Sequence, residues 1–283
     1  MAKIIDGKQI AKEVRAEIAA ECAKLKKKGI IPGLAVVIVG TDPASQVYVR
    51  NKHKSCGEVG IESEVITMPE QTTQQELLEV VERLNQDETV DGILVQLPLP
   101  KQIDEKTVLR SILPEKDVDG AAEGSLAAVY AGTDEGFAPC TAEACLHLLR
   151  AYGFDPAGRR VTVVGRSLVI GRPAALLLTR ADATVTLCHR KTPDLAARCR
   201  EADILLAAAG APGLITPACV HPGQIVLDAG VTALPDGTLL GDVAAEAAGT
   251  VAACTPVPGG VGSVTTALLL LHTVQSAEIF RQF

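Results

Sequence analysis

Apolar residues recur along the chain in two alternating rhythms, and their order predicts the fold. Ile10, Val14, Ile18 and Leu25 stand at helical spacing within residues 8–28. That helix should stop at Gly29, a residue suited to a left-handed cap, with Lys24, Lys26, Lys27 and Lys28 forming a solvated end favoured by the helix dipole. An uninterrupted apolar run at 34–39 reads as a strand, followed by a helix over 45–59 and an alternating strand over 61–66. Thr73 and Glu76 make a capping box that opens a helix reaching Asn85, and residues 92–96 read as another buried strand. Strands alternating with helices at this spacing predict a parallel sheet covered on both faces.

At Thr141 the rhythm restarts. It gives a helix to about Tyr152, a strand over 161–164, a helix over 171–181 and strands over 184–188, 204–208 and 225–228. Asp155, Pro156 and Gly158 mark the turn into the first of these strands. Residues 264–283 predict an amphipathic helix after a glycine-rich turn, through which the chain crosses back to its first domain. The fold class is therefore α/β with two βαβ domains, one formed by residues 1–138 plus 264–283 and the other, Rossmann-like, by residues 139–263. The length of 283 residues agrees with this, since a domain takes about 150 residues.

Composition narrows the function. With 47% hydrophobic and 22% charged residues the chain is not disordered. A net charge of -7 leaves no electrostatic footprint for nucleic acid or an anionic membrane, so an anionic ligand must be held by a local cluster of cations. The apolar stretch near the N-terminus is too short to span a bilayer and residues 1–5 lack the plan of a signal peptide, which points to the cytoplasm. The eight cysteines show no C-x-x-C pairing and no dense spacing, so they read as buried thiols rather than zinc ligands or disulfides.

The segment VTVVGRSLVIGRP, residues 161–173, is a buried strand running through glycines into a helix whose first amides can hold a pyrophosphate. It departs from G-x-G-x-x-G, because Ser167 occupies the second glycine position and Gly171 comes one residue late; an ordinary strand-to-helix turn is the alternative. At the end of the next strand, where an acid binds the ribose hydroxyls of NAD, the chain has Cys188, His189, Arg190 and Lys191. With Arg166 in the loop, these cations suit a 2′-phosphate and favour NADP.

Placed at about 100° intervals, Tyr48, Val49, Lys52, Cys56 and Val59 share one arc of their helix, while Arg50, Asn51, Lys54 and Glu58 lie opposite. A lysine amid apolar neighbours is suited to proton transfer; a snorkelling lysine with its stem on the core fits the same pattern. In ILVQLPLP, residues 93–100, Gln96 stands at the carboxyl end of a parallel strand, placed either to touch a ligand and orient Lys52 or to cap loop amides. Asp119 in KDVDG can accept paired hydrogen bonds from a heterocycle, or serve as a turn aspartate before Gly120. TPVPGGVG, residues 255–262, is a turn whose glycines allow backbone to approach a ligand.

YVRNKHK, ILVQLPLP, KDVDG, VVGRSLVIGRP, ADILLAAAG and TPVPGGVG stand in the order and spacing of one family. Across essentially its whole length the chain resembles the bifunctional methylenetetrahydrofolate dehydrogenase/methenyltetrahydrofolate cyclohydrolase family. The resemblance implies a homodimer with folate in a cleft between a catalytic domain and an NADP-binding domain. It implies that Lys52 is the catalytic lysine, Tyr48 the tyrosine over the substrate, Gln96 the glutamine that tunes the lysine and Asp119 the carboxylate that anchors the pterin. Leu97, Pro258, Gly259 and Gly260 then line the substrate, and Gly165, Arg166, Ser167, Gly171, His189, Arg190 and Val231 surround NADP.

The chain also departs from that pattern. After Gly120 the family's Phe-His-Pro, Asn and Gly give way to Ala121, Ala122, Glu123, Ser125 and Ala127, which should cost local contacts. Ala142, Glu143 and Ala144 replace a Pro-x-Gly, and Ser263 and Val264 replace Pro-Met. These changes bear on substrate affinity and the balance of the two activities more than on the fold. A shikimate dehydrogenase-like enzyme shares the architecture but gives no reason for ILVQLPLP and TPVPGGVG. A catalytically impaired folate- or NADP-binding member explains the altered loops but not the retention of Tyr48, Lys52, Gln96 and Asp119.

Overall fold

The computed structural model describes residues 2–133, 135–234 and 236–281. In chain order these form β1 (Lys3–Ile4), α1 (Gly7–Lys27), β2 (Gly33–Val39), α2 (Pro43–Val59), β3 (Glu62–Met68), α3 (Gln74–Gln86), β4 (Gly92–Val95), α4 (Glu105–Arg110), α5 (Glu123–Ala131) and α6 (Cys140–Ala151). There follow β5 (Arg160–Val164), α7 (Gly171–Arg180), β6 (Thr184–Cys188), α8 (Leu195–Arg200), β7 (Ile204–Ala207), β8 (Ile225–Asp228), β9 (Thr232–Ala233), β10 (Leu239–Leu240), α9 (Ala245–Ala248), β11 (Ala253–Cys254) and α10 (Val261–Phe280). Two compact units result, Glu13–Ala138 with Thr266–Phe283, and Pro139–Thr265 with Met1–Lys12.

The first unit is built on a parallel sheet in the order β3-β2-β4. Every residue of the central β2 is buried, as a parallel strand covered on both faces must be, whereas no residue of the edge strand β3 is fully buried. α3 packs Leu77, Val81 and Leu84 onto Ala35, Val37, Ile93 and Val95. Each such buried side chain contributes about 1.5–3 kcal/mol. The capping box fixes where α3 begins: Thr73 Oγ1 accepts from the Glu76 N–H at 3.3 Å and Glu76 Oε2 from the Thr73 N–H at 2.8 Å. Arg281, just past α10, makes two bonds of 2.6 and 2.8 Å to the buried Asp91, which also accepts the Gly33 N–H at the start of β2.

The second unit carries a sheet in the order β1-β11-β8-β7-β5-β6, all of whose pairs are parallel. The strand order reverses beside β5, which has the early β6 on one side and the later β7 on the other. Such a switch point opens a crevice at the carboxyl ends of the strands. β9 and β10 form a small antiparallel pair apart from this sheet.

Two expectations need correction. Residues 1–12, assigned by the sequence to the first unit, group with the second, because β1 adds to the sheet edge by pairing with β11. α10 begins three residues earlier than the pattern implied and is not amphipathic: Ala267 to Leu270 and His272 to Val274 are all buried. Its polar side chains are satisfied inside, with His272 bonded to the Val118 carbonyl and Ser276 to that of Glu115. All eight cysteines are buried and free, as expected.

Candidate active site

β4 ends at Val95, and the Gln96 N–H extends the ladder by donating to the Val37 carbonyl at 2.8 Å. The chain then leaves the sheet through a cis Leu97–Pro98 bond. The Gln96 carboxamide is held at both ends: Nε2 donates to the Leu97 carbonyl at 2.8 Å and Oε1 accepts from Lys52 Nζ at 2.9 Å. An ammonium only donates and a carbonyl only accepts, so the reversed amide would set donor against donor and oxygen against oxygen. One orientation survives. Gln96 is a neutral partner, so this bond aims the lysine without ion-pairing it.

Lys52 is half-buried on α2, between Val49, Cys56 and Val59, which are buried; Arg50, Asn51, Lys54 and Glu58 face outward, as the helical spacing predicts. Tyr48 departs from that arc. Its side chain is 51% exposed, so it is accessible beside the lysine rather than part of the core. Asp42 fixes the start of α2 by accepting the Ser45 N–H at 2.8 Å, and Gly60, left-handed, ends it.

In KDVDG the two acids differ. Asp117 is buried and turned inward: Oδ2 accepts the Ser125 hydroxyl at 2.5 Å and the Ala122 N–H at 2.8 Å, and Oδ1 the Ala121 N–H at 3.2 Å. Burial pushes its carboxyl up against the pull of these bonds. Asp119 is half-buried in the same loop. Between them, the Val118 carbonyl accepts from His272 Nδ1 at 2.9 Å, which fixes that nitrogen as protonated, and the His272 ring stacks on Phe137 at 4.7 Å. The altered stretch 121–127 therefore supplies local contacts of its own, through Ser125 and two backbone amides.

In the other unit, Gly165 follows β5 with φ +121°, and a Cβ there would lie 2.0 Å from the Ala208 carbonyl oxygen. A Cβ on Gly171 would lie 2.1 Å from the Gly165 oxygen. Both positions admit only glycine, and they bring α7 tightly onto the end of β5. Ser167 Oγ accepts the N–H groups of Ile170 at 3.1 Å and Gly171 at 3.4 Å, so this serine caps the helix start. Arg166, Arg190 and Lys191 are exposed around the loop. His189 is tied into its own turn, its Nδ1 accepting the Lys191 N–H at 3.2 Å. A glycine-lined turn, a helix start and three exposed cations at the ends of β5 and β6 fit a dinucleotide with an extra phosphate.

Residues 5–119 match the tetrahydrofolate dehydrogenase/cyclohydrolase catalytic domain, and residues 139–281 the NAD(P)-binding domain of the same enzymes. The chain belongs to the tetrahydrofolate dehydrogenase/cyclohydrolase family. It is 53% identical over 278 residues to the bifunctional protein FolD of Moorella thermoacetica, covering 98% of this chain and 99% of that one. A crystal structure of the bifunctional FolD enzyme from Campylobacter jejuni superposes with a TM-score of 0.97 at 43% identity, covering 100% of both chains. The FolD enzyme of Trypanosoma brucei, solved with NADP and an inhibitor, gives 0.94 at 39% identity, covering 100% of this chain and 99% of that one.

Of the residues singled out by sequence, Lys52 and Gln96 are directly bonded, with Leu97 supplying the carbonyl that orients Gln96. Tyr48 and Asp119 belong to the same unit, while Pro258, Gly259 and Gly260 belong to the other with the cofactor residues. Gly260 has a packing reason of its own, since a Cβ there would lie 2.5 Å from the Pro256 oxygen. Val231 is exposed just past β8. Sequence reasoning missed Asp117, Ser125 and His272, and also Asp228, which ends β8. Among the described residues no helix is long and apolar enough to cross a membrane.

Burial pushes the Asp228 carboxyl up to about 6, and the neighbouring Asp242 charge adds to this, against three backbone N–H groups that pull it down. The folded state then holds a proton that the unfolded chain has released, between about pH 4 and 6. Stability from this group is greatest at low pH and is lost as pH rises through about 6. On going from pH 7 to 5 the parent should gain on the order of 1 kcal/mol relative to Asp228→Asn, read from thermal melts of both proteins; parallel pH profiles would contradict this.

Proposed function

We propose that the chain oxidises 5,10-methylenetetrahydrofolate with NADP as hydride acceptor, and then hydrolyses the 5,10-methenyl product to 10-formyltetrahydrofolate. It does so in the cytoplasm, as a homodimer, with folate on the unit of the three-stranded sheet and NADP on the other. The observation that carries this reading is the Lys52–Gln96 bond, whose amide is locked by the Leu97 carbonyl, in a chain of this family.

In the first step a hydride leaves the one-carbon bridge and the bridge becomes a cation stabilised by its two nitrogens. Bound NADP supplies the acceptor for that hydride. No proton moves, so the protein's work is to hold the substrate: Asp119 takes the N–H groups of the pterin and Tyr48 lies over the substrate ring. The second step does move protons. Water adds to the cationic carbon, one C–N bond breaks to leave the formyl group on N10, and one proton is released overall. Lys52 takes the proton of the attacking water and returns one to the departing nitrogen, and Gln96 keeps its amine aimed there.

Arg190, exposed beside the dinucleotide turn, meets the 2′-phosphate. Arg190→Ala should weaken NADP binding by about ten- to a hundredfold, as loss of a charge-assisted contact of some 1.5–3 kcal/mol implies, and leave NAD binding nearly unchanged. Calorimetric titration of both nucleotides reads the ratio, and an unaltered preference removes Arg190 from the site. The same titrations on the parent, beside a turnover assay, separate an enzyme from a silent folate- and NADP-binding protein.

A further inference from the structure

The six-stranded unit holds two buried carboxylates that the reaction above does not use. Asp228 ends β8 and Asp242 follows β10, and both are at most 3% exposed. Asp228 Oδ1 accepts the N–H groups of Gly230 and Asp242, each at 3.0 Å, and its Oδ2 that of Val243 at 2.9 Å. Asp242 in turn accepts from Ala211 on Oδ1 at 2.7 Å, and from Ala209 and Gly210 on Oδ2 at 2.5 and 3.0 Å. The first carboxylate thus fixes the backbone that delivers the second. Three successive amides turned onto one anion make a nest of the kind that elsewhere takes a phosphate, and here the chain's own carboxylate fills it. The surrounding backbone leaves space for these two side chains: a Cβ on Gly230 would lie 2.2 Å from Asp242 Cγ, and one on Gly241 2.0 Å from Asp228 Oδ2.

The loop held in this way follows β7, which lies next to β5 in the sheet. The Ala208 N–H donates to the Val164 carbonyl at 2.7 Å, and the Ala208 carbonyl occupies the place a Gly165 side chain would need. The loop at 208–211 and the Gly165 turn are therefore one backbone wall at the carboxyl ends of β5 and β7. We propose that Asp242 is a positioning residue for the dinucleotide, its carboxylate, supported by Asp228, setting the shape of the 208–211 loop against the Gly165 turn so that NADP meets a preformed wall. The proposal rests on the NADP-dependent reading above and assigns a role to a residue that does not touch the cofactor.

Asp242→Asn keeps the volume but offers one oxygen and an NH2 group to three N–H donors. Its Kd for NADP, from calorimetric titration, should rise about tenfold, equivalent to about 1.4 kcal/mol, because one N–H of the nest is left without an acceptor. Methenyltetrahydrofolate hydrolysis, which takes no nicotinamide, should fall much less and reports that the variant is folded. Asp228→Asn should weaken NADP in the same way, and the double variant should be no weaker than Asp242→Asn, because the two carboxylates act in series. An unchanged Kd in folded Asp242→Asn overturns the proposal, as does an equal loss of both activities, which marks a purely structural residue. The parent offers a check that needs no variant: the amides of 209–211 should resist hydrogen exchange without NADP, and rapid exchange there overturns the proposal too. A parent that binds no NADP removes the functional reading itself, and this proposal with it.

Discussion

Lys52→Met should lower hydrolysis of methenyltetrahydrofolate by about two to four orders of magnitude, the usual worth of a positioned acid–base group. Methionine keeps an unbranched apolar chain of similar length, so the packing between Val49, Cys56 and Val59 is retained while the proton carrier is removed. Oxidation of the methylene compound needs no proton transfer, so NADPH should still form and the methenyl intermediate should accumulate. The two activities part company in this variant. Gln96→Glu should show a milder form of the same split, since a carboxylate in place of the amide oxygen would ion-pair the lysine and hold its proton. Hydrolysis by Lys52→Met at the parent rate, measured against the spontaneous reaction, would remove the lysine from the mechanism.

Gly165→Ala should abolish measurable NADP binding and destabilise the protein. An alanine at φ +121° carries a backbone penalty of about 1–3 kcal/mol, and its Cβ, 2.0 Å from the Ala208 oxygen, must also drive the 208–211 loop away from the end of β5. For a protein of this size the melting temperature should drop by roughly 5–10 °C. Gly158→Ala is the matched control. It has a positive φ of 71° but open space around its Cβ, so it carries backbone strain alone and should leave NADP affinity intact. Equal NADP affinity in Gly165→Ala and Gly158→Ala would show that the close approach at Gly165 has no part in the cofactor site.

What the sequence made legible was local. The fully apolar β2, the capping box before α3 and the left-handed Gly29 after α1 each depend on residues within a few positions of one another, and each stands where expected. Lys52 and Gln96 were also within reach, because helical spacing put one amid an apolar arc and the other at a strand's carboxyl end. The two-residue strands β1 and β11 were not, since a period of two cannot show in two residues. Nor was the true character of α10, whose polar His272, Thr273 and Ser276 look solvent-facing until their partners at Val118, Leu269 and Glu115 are seen. Asp242 bonds to Ala209, 33 residues earlier, and no local pattern encodes that pairing. Tyr48 shows the opposite error, a large apolar ring assigned to a buried arc that stands half in solvent.

A chain that performs both steps leaves a distinct signature in an absorbance time course. Purified protein is mixed with 5,10-methylenetetrahydrofolate and NADP, and NADPH is resolved from methenyltetrahydrofolate as both are followed. NADPH should form without accumulated methenyl product, which is consumed faster than by spontaneous hydrolysis. NADPH with accumulating methenyl product would contradict the hydrolytic role given to Lys52 and Gln96, and no NADPH at all would contradict the substrate assignment itself.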